Sequence, residues 1–171
     1  LFVMDSSCSM SEEQNAIASN FASFVQVVGA LDMDYQLGVV SMDIGDGGAL
    51  QGAVPIITPS TPDPAGTFSA NVQLGTNGAG IEQGYQNAWL GLSSPMLDSG
   101  FPNYGFLREQ AGLRLISISD EPEQSGSIQG WTALQYAAAF QAIKTNPDHV
   151  ILSDITGGIS GCNGSTGPAD P

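Results

Sequence analysis

Short apolar runs alternate with longer amphipathic stretches along this chain. The first run, LFVMD at residues 1–5, is almost continuously apolar, which is typical of a strand in a parallel sheet covered on both faces. Similar runs predict strands at 35–44 (YQLGVVSMDI), 113–120 (LRLISISD) and 149–157 (HVILSDITG). The run at 49–58 predicts another strand, at a sheet edge because Pro55 cannot donate a ladder hydrogen bond.

Helices are predicted between these strands. Ser11 and Gln14 have the spacing of a capping box, and apolar residues then recur at helical intervals as far as Leu31. A short helix is predicted near Phe68, and longer amphipathic stretches predict helices over 81–92 and 131–143. Strands that alternate with helices indicate an α/β fold with a doubly wound, mostly parallel sheet and helices on both faces.

The length of 171 residues is that of one ordinary domain, which we place at residues 1–158. The stretch 159–171, rich in Gly, Ser and Pro, is either a tail or the start of a continuing segment. Since residue 1 already belongs to a strand, we expect a longer polypeptide with neighbouring domains. A fold of this kind usually continues with a further helix and strand, and neither is evident after 149–157.

The charge balance excludes several partners. Three Lys and Arg residues oppose 17 Asp and Glu residues, so the formal net charge is -14. Such a chain repels nucleic acid and anionic membranes, and we expect neither nucleic-acid binding nor direct membrane insertion. No segment reaches the roughly 18 apolar residues of a membrane-spanning helix. Few lysines and many Gly, Ser, Asn and Gln residues favour a secreted or cell-surface protein.

Candidate metal ligands follow the predicted strands. Asp5, Ser7 and Ser9 come after the first strand, Thr76 lies in the loop GTNGAG, and Asp120 ends LISISD. In an open α/β sheet, ligands bind at the carboxyl ends of the strands. Two carboxylates and three hydroxyls are hard oxygen donors, which suit Mg²⁺, Ca²⁺ or Mn²⁺. The sequence therefore predicts a site for a divalent cation.

With these residues the chain resembles a von Willebrand factor type A domain, over Leu1 to about Gly158. That family carries a metal-ion-dependent adhesion site written as Asp-x-Ser-x-Ser, a distant Thr and a distant Asp. The segments SDEPEQS and GTNGAGIEQG are similar to segments of bacterial secreted or surface proteins of this type. The resemblance implies that Asp5, Ser7, Ser9, Thr76 and Asp120 hold a divalent cation, Mg²⁺ foremost.

Cys8 stands where the family usually has Gly, and Cys162 is the other cysteine of the chain. If the strand of Asp120 lies between the strands that precede these cysteines, as in the resembling fold, their loops start about 10 Å apart. A Cys8–Cys162 disulfide would then close a long loop and fit an oxidising compartment. Two unpaired thiols, or a bond from Cys162 to a cysteine beyond residue 171, remain alternatives.

Other polar residues near the predicted site have two interpretations. Asp43 and Glu121 either support the metal site from behind its ligands or are solvated carboxylates, and Glu123 is expected to be solvated. Ser6 and Asn77 are candidates for the rim that meets a partner. Glu82 is expected in the first turn of its helix, stabilised by the helix dipole.

The resemblance implies an extracellular, cation-dependent adhesion or protein-interaction module, in which the metal completes its coordination with a carboxylate of a protein partner. The alternative is a structural subunit of a surface filament or appendage, with a metal that only stabilises it. A metal-assisted hydrolase is disfavoured, since the sequence has no Gly-x-Ser-x-Gly elbow and no phosphate-binding loop with lysine. We therefore expect no enzymatic activity.

Overall fold

The computed structural model describes residues 1–156, apart from the side chains of Ala22 and Gln26. Within them, four strands form one sheet: β1 (Phe2–Met4), β2 (Val39–Ser41), β3 (Leu113–Ile118) and β4 (Val150–Ile155). Their spatial order is β2-β1-β3-β4, and every neighbouring pair is parallel. The predicted α/β class with a parallel sheet is confirmed.

Five α-helices lie between the strands in the described residues: α1 (Ser11–Ala30), α2 (Pro64–Asn71), α3 (Gly84–Gly91), α4 (Ser125–Gln129) and α5 (Ala133–Gln141). Residues of α1 and α2 pack on one face of the sheet, and residues of α3 and α5 pack on the other. The predicted cover on both faces is therefore confirmed. None of these helices is long and apolar enough to cross a bilayer.

The sheet separates two apolar clusters. Val3 packs in one cluster with residues of α3 and α5, whereas Phe2 and Met4 pack in the other with α1 and α2. In the second cluster the ring of Phe21 lies 5.0 Å from Phe2 and 3.5 Å from Phe68, measured between centroids. Because alternate residues of β1 face different clusters, the strand is apolar at every position.

The strand predicted at 49–58 does not form. Only an isolated antiparallel bridge joins Ile57 to Leu37 beside β2. Gly52 has a φ of 93°, which turns the chain away from an extended path, and Pro55 has no N–H to donate. This bridge and a hydrogen bond from the N–H of Gln51 to the carbonyl oxygen of Val39, at 2.8 Å, remain where a complete strand was expected.

The last strand is also less buried than its apolar sequence predicts. Val150 is buried, but the rest of β4 is exposed, and Ile155 is 60% accessible. Among the described residues β4 pairs only with β3, and no helix or strand follows it within residues 1–156. The boundary at 158 and the stretch 159–171 lie outside the described residues and stay predictions.

The order of the strands reverses between β1 and β3. The chain moves outward from β1 to β2, and then crosses back to β3 and continues in the opposite direction to β4. In doubly wound sheets, ligands bind beyond the carboxyl ends of the strands at the point where the order reverses. Here those ends lead directly into Asp5 and Asp120.

Candidate metal centre

Asp5 is held rigidly at the carboxyl end of β1. It is fully buried, and its backbone N–H donates to the carbonyl oxygen of Ile118 at 3.0 Å. Its Oδ1 accepts from the N–H of Ser7 at 2.7 Å, and its Oδ2 accepts from Oγ of Ser119 at 2.6 Å. The carboxylate is thus oriented by both adjacent strand ends.

Ser7, Ser9 and Asp120 form a connected group beside Asp5. Oγ of Ser7 lies 3.1 Å from Oγ of Ser9, which donates to Oδ1 of Asp120 at 3.0 Å. Oδ2 of Asp120 is buried and has no hydrogen-bond partner among the described residues. Burial raises the pKa of Asp120 against the hydrogen bond from Ser9, and the negative charges of Asp5 and Glu13 add to the rise.

The loop that carries Thr76 is fastened to the loop after β1 at two points. Nε2 of Gln14 donates to the carbonyl oxygens of Asp5, at 3.0 Å, and of Gly75, at 2.9 Å. On the other side of Thr76, the N–H of Gly78 donates to the carbonyl oxygen of Ser6 at 2.9 Å. Thr76 is half-buried between these junctions, and its hydroxyl makes no hydrogen bond to a described residue. The structure therefore joins the loops of all five predicted ligands.

Gln14 has a different role from the one predicted. Met10, not Ser11, is the capping residue of α1, and no side chain caps it. Gln14 is buried and connects two loops, so the predicted capping box is wrong. The signal was present in the sequence, because Gln14 lies three residues before Ile17 and seven before Phe21, on the apolar side of the helix.

The flanking candidates also have defined positions. Asp43 accepts from the N–H of Gly45 at 2.8 Å and from that of Ala79 at 3.1 Å, so it connects the loop after β2 to the Thr76 loop. Ser6 is buried, and a Cβ on Gly78 would lie 2.1 Å from its Oγ. Asn77 is exposed, so of the two rim candidates it is the one that is accessible to a partner.

Two glutamates follow Asp120 in sequence, and both have a raised pKa. Burial is the main cause for Glu121, and the negative charges of Asp5 and Asp120 add to it. Burial also raises the pKa of Glu123, which accepts from the N–H of Tyr85 at 3.1 Å and of Ser125 at 2.6 Å. Glu123 therefore anchors the starts of α3 and α4, and its prediction as a solvated charge is wrong.

Glu82 is the functional candidate that the sequence interpretation missed. It precedes α3 and is only 1% exposed, and neither of its carboxylate oxygens has a hydrogen-bond donor among the described residues. Burial raises its pKa to about 8, and the charges of Asp5, Glu121 and Asp43 contribute. The prediction that Glu82 lies in the first turn of its helix is wrong, because α3 begins at Gly84. The sequence did contain a signal for burial, since Glu82 lies three residues before Tyr85 and seven before Trp89, on the apolar side of the predicted helix.

Basic side chains lie away from this group of carboxylates. Arg108 pairs with Asp34 at 2.6 Å, and Lys144 donates to the carbonyl oxygen of Arg108. Arg114 is the second residue of β3, so all three basic residues of the chain lie toward the amino ends of the strands. No Lys or Arg of the chain therefore neutralises the carboxylates at the opposite edge.

The donor set suits a hard cation that retains water. Among the described residues, no group of three or more His, Cys, Asp or Glu side chains is arranged to hold a metal ion. The predicted set instead combines two carboxylates with three hydroxyls. Mg²⁺ is usually held by one or two carboxylates and keeps several waters, so this set fits it, and the buried free oxygen of Asp120 is an acceptor suited to a cation.

Cys8 is exposed and has no disulfide partner among residues 1–156. Cys162 lies outside the described residues, so the Cys8–Cys162 disulfide stays a prediction.

Comparison with protein-family models, with curated proteins and with solved structures finds no significant match.

Proposed function

We propose that this domain binds a divalent cation through Asp5, Ser7, Ser9, Thr76 and Asp120, and uses the cation to bind a protein partner. Mg²⁺ is the cation we favour, with Ca²⁺ and Mn²⁺ as alternatives. The main support is the buried, unpartnered Oδ2 of Asp120, at the strand-order reversal where no basic side chain is present; the Oδ1 of the same residue accepts from Ser9, whose hydroxyl contacts that of Ser7. An exposed acceptor would find water, whereas a buried one requires a partner.

Each residue of the set has a distinct part in this proposal. Asp5 is fixed by Ser7 and Ser119, so little ordering is needed when a cation enters. Ser7 and Ser9 contribute neutral oxygens, so the two carboxylates balance the charge of a divalent cation without exceeding it. When bound, the cation would supply a Lewis-acidic centre and a coordination position for an outside oxygen.

The partner we propose presents a carboxylate. The resemblance to von Willebrand factor type A domains supports this choice, and with a net charge of -14 the chain as a whole repels an anionic group, which the cation would attract. Asn77 and Glu121 lie on the loops around the site and would influence selectivity. We further propose an extracellular or cell-surface location, with adhesion or protein interaction rather than catalysis as the role.

A carboxylate probe can test this function without knowledge of the partner. In the Mn²⁺-loaded chain, we expect acetate to displace metal-bound water and lower the enhancement of water proton relaxation, whereas neutral acetamide has no effect. Mn²⁺ that binds at the site but responds equally to both probes would contradict the carboxylate partner. That result would favour the filament subunit with a purely stabilising metal.

A further inference from the structure

A pocket of about 360 Å³ lies between α3, α4 and the start of α5. Three aromatic side chains line it: Tyr85 of α3, Trp131 of the segment before α5, and Tyr136 of α5. The loop that follows Asp120 supplies most of the remaining wall, including the carboxylate of Glu123. A pocket of this size accepts a small molecule or one long side chain of a protein partner.

The three rings are inclined to one another, so they form the walls of a concave site. The ring centroids of Trp131 and Tyr136 lie 5.2 Å apart with 50° between the ring planes, and those of Tyr85 and Tyr136 lie 5.8 Å apart with 52°. Tyr136 is buried, and its hydroxyl donates to Oε1 of Gln86 at 2.7 Å, so the central ring is fixed. A compact group can therefore contact several ring faces at once, whereas a flat ligand would stack on only one of them.

The charge of the lining favours a cation. Glu123 accepts from the N–H of Ser125 at 2.6 Å and from that of Tyr85 at 3.1 Å, and these hydrogen bonds stabilise its ionised form against the effect of burial, which raises its pKa. None of the three Lys and Arg residues of the chain lines the pocket. In a chain with a net charge of -14, the pocket therefore attracts cations and repels anions.

We propose that this pocket binds an organic ammonium group, whose carbon atoms contact the aromatic rings and whose positive charge lies near their faces and near Glu123. A cation over the face of Trp or Tyr is attracted by the ring quadrupole, more strongly when it is desolvated. Mg²⁺ dehydrates reluctantly and gains little from an aromatic lining. The inference is independent of the proposed divalent-cation site, because none of the predicted metal ligands lines the pocket.

Calorimetric titration of the chain in EDTA, with choline and with dimethylbutanol, tests the charge of the ligand. Dimethylbutanol is the neutral analogue of choline in which a carbon atom replaces the nitrogen, so the two probes have nearly the same shape. We expect choline to bind at least about fivefold more tightly, because only choline interacts with the ring quadrupoles through a positive charge.

A second pair of probes distinguishes the two sources of an ammonium group. The amide of N-acetyl-lysine presents a primary ammonium on a long side chain, and the amide of N-acetyl-norleucine is its neutral counterpart. Tighter binding of choline than of the lysine amide would indicate a free quaternary ammonium compound. Tighter binding of the lysine amide would indicate a side chain of a protein partner.

Trp131→Leu tests the aromatic wall, because Trp131 is 38% exposed and leucine keeps an apolar side chain without a π face. Phe101→Leu is the matched control, since Phe101 is 45% exposed, lies between α3 and β3, and does not line the pocket. We expect Trp131→Leu to bind choline at least about threefold more weakly, and Phe101→Leu to bind it like the wild type.

Preference for the charged member of a pair, reduced in Trp131→Leu and retained in Phe101→Leu, would support the inference. Equal binding within both pairs, or no binding of any probe, would overturn it. Equal affinity of Trp131→Leu and the wild type for choline would overturn it as well. Because every titration contains EDTA, these outcomes are distinct from a failure of the proposed divalent-cation site, which titration with MgCl₂ tests.

Discussion

Without metal, the Glu82→Gln variant is expected to be more stable than the wild type, and its advantage is expected to grow as the pH rises from about 5 to 8. Folding raises the pKa of Glu82 from its usual 4.5 to about 8, mainly through burial. Between those values the folded state holds more protons than the unfolded state, so the free energy of unfolding falls as the pH rises. Glutamine does not titrate, and the variant escapes this loss.

The expected difference between the two proteins is on the order of 2 to 4 kcal/mol at pH 8, after allowance for solvent screening at the open side of the site. The comparison must be made between variants, because the buried α-amino group of Leu1, whose pKa is lowered to about 5, acts in the opposite direction in both. Urea unfolding in EDTA at pH 5, 6.5 and 8 measures the difference directly.

Equal stability of the two proteins at pH 8 in EDTA would contradict the account of Glu82. Asp148 is exposed just before β4, so Asp148→Asn, unfolded in parallel, controls for the loss of one negative charge and should differ little in stability from the wild type.

Asp120→Asn is expected to separate metal binding from folding even more clearly. Asparagine retains an oxygen that can accept from Ser9, and it removes a charge whose pKa is raised by burial and by Asp5. The metal-free variant should therefore be as stable as the wild type or more stable, by up to about 1 kcal/mol. Its affinity for Mg²⁺ should fall at least 10- to 100-fold.

The measurement is a pair of thermal melts, in EDTA and in excess MgCl₂, for Asp120→Asn and for Asp148→Asn. The wild type and the control should gain stability from Mg²⁺, and Asp120→Asn should gain almost none. A normal gain in Asp120→Asn would show that Asp120 does not contribute to the site.

The position of the candidate site could be predicted because it depends on local patterns. The run before Asp5 and the run before Asp120 are both apolar, and carboxyl ends of parallel strands share one edge of the sheet. Thr76 was less certain from sequence alone, because nothing local shows how its loop is held. Gln14 and Gly78 hold that loop through contacts that are distant in sequence.

Predictions from local sequence patterns were wrong for two polar residues, Gln14 and Glu82, whose side chains are buried between loops that are distant in sequence. Gln14 matches a capping box, and Glu82 matches the acidic start of a helix, so each had a sufficient local explanation. The structure uses both as buried side chains between loops, and only their positions on apolar helical stripes indicated it. A charged or amide residue on the buried side of a predicted helix is therefore a signal for a site.

The strand errors have a related cause. The runs at 49–58 and 149–157 are apolar enough for buried strands, but burial depends on what lies beside them. Residues 49–58 pair at a single bridge, and β4 has one neighbouring strand in the described part of the chain. The apolar composition of these two segments predicted buried strands, but it does not show which neighbouring elements would cover them.

Calorimetric titration of the metal-free chain with MgCl₂ tests the central claim most directly, with Thr76→Ala and Thr67→Ala as the paired variants. The Thr76 hydroxyl makes no hydrogen bond to a described residue, so its removal should not disturb the fold. Thr67 is also half-buried, but it lies in α2 and makes only a long contact of 3.4 Å to Pro62. We predict one Mg²⁺ per chain for the wild type and Thr67→Ala, and at least about 10-fold weaker binding for Thr76→Ala. Equal binding by all three proteins, or no binding by the wild type, would contradict the account.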